Sequence, residues 1–142
     1  IYRDLASQLA AALARLGIGD VAPGAVEGSW CDGRYNLAVG GAKIAGTAQA
    51  WKRVQGTPVA LVHAVIVVTA DPADLTARAN ACEEALGNPT RYREAALTSV
   101  ARCMRRDARH ARLGDEQIEQ RVLDVLAEQF ARVVPPRVSE TA

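Results

Sequence analysis

Leu5, Leu9, Leu13 and Leu16 recur at helical spacing and Gly17 follows them, which predicts an amphipathic helix stopped by glycine. A loop rich in Gly and Pro runs from there to Ser29. From Arg34 to Gln49 the period drops to two, on either side of Gly40-Gly41. Two glycines can both take positive φ, as a two-residue hairpin turn requires. With that turn, Val39 faces Ala42, Ala38 faces Lys43 and Asn36 faces Ala45. Facing residues point to the same side of a sheet. One side is then expected to carry Arg34, Asn36, Lys43, Thr47 and Gln49, and the other Tyr35, Leu37, Val39, Ile44, Gly46 and Ala48.

Gln55-Gly56-Thr57-Pro58 predicts a further turn. Val59 to Thr69 is nearly continuous in Val, Ala, Leu and Ile, which suits a central strand covered on both faces. Consecutive strands on short turns make an antiparallel meander. Asp71-Pro72 opens the next helix as cap and first turn, with Leu75, Ala79, Cys82 and Leu86 as its apolar stripe and Gly87 as its end. That stripe makes Cys82 a core residue. Leu97, Val100 and Met104 predict a short helix with Cys103 near its end. Asp115 is expected to cap a final helix bearing Ile118, Val122, Val125, Leu126 and Phe130, ended by Pro135-Pro136. The fold class is α/β, an antiparallel sheet meander backed by helices. Residues 1–136 form one domain or part of one, and 137–142 a loose tail.

Composition narrows the function classes. The 142 residues are 49% hydrophobic and 23% charged, which fits a globular protein. A net charge of +1 makes no global case for nucleic acid or for a membrane surface. The longest apolar run, Val59 to Val68, is too short for a spanning helix. Three cysteines without a CxxC spacing favour neither a disulfide framework nor a zinc site, and Cys103 with His110 has no second ligand pair. A cytoplasmic location is the expectation.

Two features lift the hairpin above an ordinary sheet with one wet face. Gly46 sits inside a strand, where glycine weakens the sheet unless a bulge or a close neighbour needs the space. Ala45, Gly46, Thr47 and Ala48 leave room for a ligand to lie flat, and an ammonium among Arg34, Thr47 and Gln49 suits a phosphate or carboxylate.

Gly33-Arg34-Tyr35-Asn36-Leu37, followed by Gly41-Ala42-Lys43-Ile44-Ala45-Gly46-Thr47-Ala48-Gln49, resembles the core motif of the lipoate-protein ligases. These share a biotin/lipoate ligase (class II synthetase-like) catalytic domain with biotin ligases and with octanoyl and lipoyl transferases. The likeness continues through Leu61-Val62-His63-Ala64, Ala96-Leu97-Thr98-Ser99-Val100 and the C-terminal helix, and so covers most of the chain. It implies attachment of lipoate or octanoate to a lysine of a lipoyl carrier domain, through an acyl-adenylate made with ATP and Mg2+. Lys43 would contact the acyl carbonyl and phosphate. Arg34, Asn36, Gly46, Thr47 and Gln49 would line the phosphate side, with His63 near the acyl pocket. The family often has an acidic residue at the place of Asn36, where it helps hold magnesium, and an Arg at the place of Ala42. Asn is the poorer ligand for a hard cation.

Cys31 precedes Lys43 by 12 residues. The cysteine-dependent octanoyl transferases of the same family carry their nucleophile in a comparable loop, a few residues further from the lysine. Cys31 therefore has two readings, a small hydrophobe after Trp30 or a nucleophile that takes the acyl group as a thioester without ATP. The chain begins at Ile1 and lacks the Arg-Arg-x-x-Gly-Gly-type block that opens the family's domain. The resemblance thus implies the C-terminal part of such a domain, with the remainder supplied elsewhere, or a non-catalytic binding subunit. Arg102 to Arg112 holds five arginines and one acid. It is either a solvated face or a docking patch for an acidic partner such as a lipoyl carrier.

Overall fold

The computed structural model describes residues 2–31 and 33–133. Helix α1 (Tyr2–Arg15) leads into a four-stranded sheet of β1 (Val21–Gly24), β2 (Asn36–Val39), β3 (Ala42–Val54) and β4 (Thr57–Ile66). Helix α2 (Pro72–Ala85), a 3-10 turn at Glu94–Ala96, α3 (Val100–Met104) and α4 (Asp115–Ala131) complete the chain. All strand pairs are antiparallel, in the order β1-β2-β3-β4. The α/β meander expected from the pattern is present, with one more strand than the apolar runs showed. β1 lies in the Gly/Pro-rich loop, and Pro23 is tolerated there because β1 is an edge.

Leu9, Leu13 and Leu16 of the α1 stripe are buried, and Gly17 at φ +82° ends the helix. They pack with Leu37, Ile44, Val100, Ile118 and Val122 into one core between the sheet and helices α1, α3 and α4. Gly40 and Gly41 take φ of +57° and +80°, as the hairpin turn demands. Asp71 accepts the Ala73 N–H at 3.1 Å and caps α2 ahead of Pro72.

Four expectations are corrected. Asn36 does not face Ala45. Ala38 pairs with Lys43, but Leu37 pairs with Ala45, so Ile44 is an extra residue and β3 bulges there. A one-residue slip exchanges the two faces of a strand beyond it. After the bulge, Gly46 and Ala48 join the Lys43 side, while Thr47 and Gln49 turn to the opposite side. The bulge adds Ala45 to the side that Leu37 and Ile44 share, and all three are buried in the core.

β4 is an edge strand and is not covered on both faces. Ala60, Val62, Ala64 and Ile66 are half-buried, whereas Leu61 and Val65 are 59% and 69% exposed. Composition alone hid this alternation, because both faces are apolar. Cys82 is exposed and is no core residue, since α2 buries only Pro72 and Thr76. The N-cap of α4 is Gly114, whose N–H donates to the Gln117 side chain at 3.0 Å, and Asp115 instead pairs with Arg105. Pro135-Pro136 and the tail lie outside the described residues.

Candidate functional site

The hairpin and the loop before it meet at one point. Lys43 is only 4% exposed, and its Nζ donates to the Trp30 carbonyl at 2.6 Å and to the Cys31 carbonyl at 2.9 Å. Asn36 is 2% exposed, and its amide Nδ2 donates to the same Cys31 carbonyl at 2.6 Å. A buried ammonium needs such partners, because an unpaired one is costly. Cys31 has φ +51°, in the left-handed region that a side chain rarely occupies. That conformation costs about 1–3 kcal/mol and persists only where neighbours over-determine it.

Several contacts hold the approach to Cys31. Ser29 Oγ donates to the Val26 carbonyl at 2.8 Å. The Arg93 N–H donates to Gly28 O at 2.9 Å, and its guanidinium to Glu27 O at 2.7 Å. Gly28 has φ +81°, and a Cβ there would stand 2.4 Å from Arg93 Nε, so both backbone and space call for glycine. Trp30 meets Tyr92 edge to face at 6.1 Å between ring centroids. Tyr92 donates its hydroxyl to Glu83 at 2.6 Å, which links the loop to α2. This hydrogen bond raises the Tyr92 pKa and, with help from Asn88, lowers that of Glu83.

Gly46 explains its own position. A Cβ there would stand 3.3 Å from Lys43 Nζ and 3.5 Å from Asn36 Oδ1. The missing side chain is the space in which the lysine lies, which joins the two observations the sequence offered separately.

A cavity of about 550 Å³ opens beside these groups. Such a volume falls in the range of about 300–1,000 Å³ typical of small-molecule sites. Trp30, Cys31, Asn36 and Lys43 line its polar end. Its walls are apolar, from Ile44 and Ala48 to Ile66, Val68, Leu75 and Leu97. Bringing Leu75 and Leu97 to this wall is tertiary work, since neither lies in the hairpin. His63 lines the cavity from β4, opposite Ala48, and is exposed.

The remaining expected site residues separate. Thr47 borders the cavity, but its hydroxyl donates to the Tyr35 carbonyl at 2.7 Å. Gln49 and Arg34 do not line the cavity, and Arg34 is exposed. Among the described residues no carboxylate lines the cavity, and no three His, Cys, Asp or Glu side chains gather as metal donors.

The arginine segment flanks the same region. A second cavity, of about 500 Å³, is lined by Thr69 and Ala70, shared with the first, and by Arg102, Arg105 and Arg106. Arg102 pairs with Glu94, Arg105 with Asp115 and Arg109 with Asp107. The Arg109 side chain and N–H hold the Asp107 carboxyl at about 2, below the usual carboxylate range.

No family model matches the chain. An uncharacterised protein of Cupriavidus necator is 36% identical over 148 residues, which cover 96% of this chain and 58% of that protein. An octanoyl-[GcvH]:protein N-octanoyltransferase of Kyrpidia tusciae is 40% identical over 78 residues, 51% of this chain and 27% of that protein. The chain spans little more than half the length of the first and about a quarter of the second. Half of this chain is therefore similar to an enzyme named for transferring octanoyl groups to protein, as the hairpin motif suggested. No helix among the described residues is long and apolar enough to cross a membrane.

Proposed function

We propose that this chain carries the acyl-binding wall and nucleophile of a protein acyltransferase that moves octanoyl or lipoyl groups onto a carrier lysine. The reading rests on one observation. Cys31 lines the polar end of an apolar cavity, and its carbonyl is held by both Lys43 and Asn36. The similarity to the Kyrpidia tusciae transferase supports the same chemistry.

In the first step the Cys31 sulfur attacks the acyl carbonyl carbon of an acyl-lysine on a donor carrier protein. The C–N bond breaks, the departing lysine amine takes the proton that the thiol gives up, and a thioester forms. In the second step the amine of an acceptor lysine attacks the thioester, the C–S bond breaks, and the sulfur regains a proton from the attacking amine. Lys43 lies beside the reacting centre and offsets charge that develops on the carbonyl oxygen. The apolar walls take the acyl chain. Carrier proteins would approach past Arg102 and Arg106, where a basic surface adjoins the cavity.

Incubation of the protein, extended to the length of its relatives, with an octanoylated carrier tests this directly. Intact mass should rise by one octanoyl group on Cys31, and Cys31→Ser should abolish both the adduct and the transfer. Full activity of Cys31→Ser would remove the thioester from consideration.

A second reading, ATP-dependent ligation of lipoate or octanoate, is favoured by the Lys43-to-Gln49 motif, whose lysine lines the polar end of the cavity. The donor set suits magnesium poorly, since Asn36 is neutral and its amide nitrogen is engaged with Cys31. Carrier modification that requires ATP and free lipoate, and that survives Cys31→Ser, would establish this reading in place of the first.

A further inference from the structure

We infer that Asn36 is a positioning residue for the Cys31 thiol and not a cofactor ligand, an inference that rests on the thioester reading above. Cys31 occupies the left-handed region at φ +51°, so something must hold it there. Asn36 is placed to do so from both its backbone and its side chain. Its N–H closes a tight turn on the Gly33 carbonyl at 3.2 Å, at the start of β2. Its Nδ2 then reaches back to the Cys31 carbonyl at 2.6 Å. The turn holds Asn36 in place, and its side chain holds the Cys31 carbonyl.

Lys43 holds the same carbonyl from the other strand, and Asn36 and Lys43 share a face through the hairpin register. The bulge at Ile44 brings Gly46 onto that face, where it leaves the space beside Lys43 Nζ empty of side chain. A carbonyl oxygen has two lone pairs, and here one takes an amide hydrogen and the other an ammonium hydrogen. The two hydrogen bonds hold ψ of Cys31 and, with φ at +51°, fix the backbone position from which the thiol projects, leaving only rotation about Cα–Cβ to the side chain. An ionised carboxylate at position 36 has the same shape as Asn but no hydrogen to donate, so it cannot do this.

Asn36→Asp separates positioning from metal binding, because Asp removes the donor and improves the site for magnesium. In the full-length protein, N36D should slow acylation of Cys31 by octanoylated carrier on the order of 10²-fold with KM for the carrier unchanged. The Cys31 Cα and Cβ chemical shifts should move away from left-handed values while the core methyl spectrum is retained. Unchanged acylation and unchanged Cys31 shifts in N36D would overturn the inference, as would an N36D enzyme made more active by magnesium and ATP. If the native protein forms no thioester, the acyltransferase reading fails, and the Cys31 shifts alone then decide whether Asn36 holds the loop. Should N36D not fold, Asn36→Ala carries the same test, since it removes the same Nδ2 donor to the Cys31 carbonyl, and it should reproduce the same loss and the same shift changes.

Discussion

The Lys43 ammonium donates to the Cys31 carbonyl at 2.9 Å, which ties a buried cation on β3 to the residue carrying an exposed thiol. The contact spans 12 positions of sequence and brings together the two residues with the strongest chemical claims in the chain. It makes Lys43 both a support for the loop and a neighbour of whatever reacts there.

Lys43→Met should therefore cost stability as well as activity. Two carbonyls lose a charged donor, and removing a hydrogen bond to a charged group costs about 1.5–3 kcal/mol. Thermal denaturation should show that loss. Acyl transfer should fall on the order of 10²-fold, the effect of removing one preorganised donor at a developing oxyanion. Retention of full transfer rate in K43M would place the lysine outside the chemistry.

The cavity wall predicts chain-length selectivity. Ala48 lies on the Gly46 side of β3 and is exposed to the cavity. Ala48→Phe should leave the fold intact, since it adds no core volume, while filling space available to an acyl chain. Competition between octanoyl and butyryl donors should shift toward the shorter chain. An unchanged ratio would mean that the acyl chain lies elsewhere.

The Tyr92–Glu83 hydrogen bond predicts a pH window. The Glu83 pKa is lowered, so its contribution is present above the usual carboxylate range and is lost as pH falls through its folded value. The Tyr92 pKa is raised, so its contribution is present below the usual phenol range and is lost as pH rises through its folded value. Trp30 fluorescence, through its contact with Tyr92, should be level between those limits and change at both ends. Tyr92→Phe should abolish both changes, because Phe has no hydroxyl to ionise or to bond Glu83.

The arginine segment predicts a salt-sensitive encounter. Arg106 makes no ion pair with the described residues and lines two cavities beside the site. Arg106→Glu should raise KM for an acidic carrier with kcat unchanged, and the difference from the native protein should shrink at high salt. Equal KM values at low salt would remove this surface from carrier docking.

The Asp107 carboxyl should titrate at about 2, held down by Arg109. Its contribution to stability is present above the ordinary carboxylate range and lost as pH falls toward that value. Side-chain carbon shifts followed by NMR from pH 6 to pH 1.5 measure this, and Arg109→Ala should raise the Asp107 pKa toward the usual range, with the remaining backbone N–H keeping it below.

Local rules settled much of this protein from sequence alone. The Leu stripe and Gly17 made α1, Asp71-Pro72 opened α2, and Gly40-Gly41 made the turn that pairs Ala38 with Lys43. Each depends on residues a few positions apart, so periodicity and turn chemistry suffice. The motif around Lys43 and Gly46 pointed to one wall of the cavity for the same reason. The bulge at Ile44 was not legible, because the plain hairpin register already puts Leu37 and Ile44 on one face, and what the bulge adds is Ala45 beside them, a demand for filled core space. That demand belongs to the packed structure, and it moved Thr47 and Gln49 off the lysine face while bringing Gly46 onto it. The exposed face of β4 was hidden because its residues are apolar on both sides, so only sheet order tells which face is covered. The partners of Lys43 and Asn36 are backbone carbonyls at 30 and 31, which any residue could supply, and only the folded loop decides that they point there.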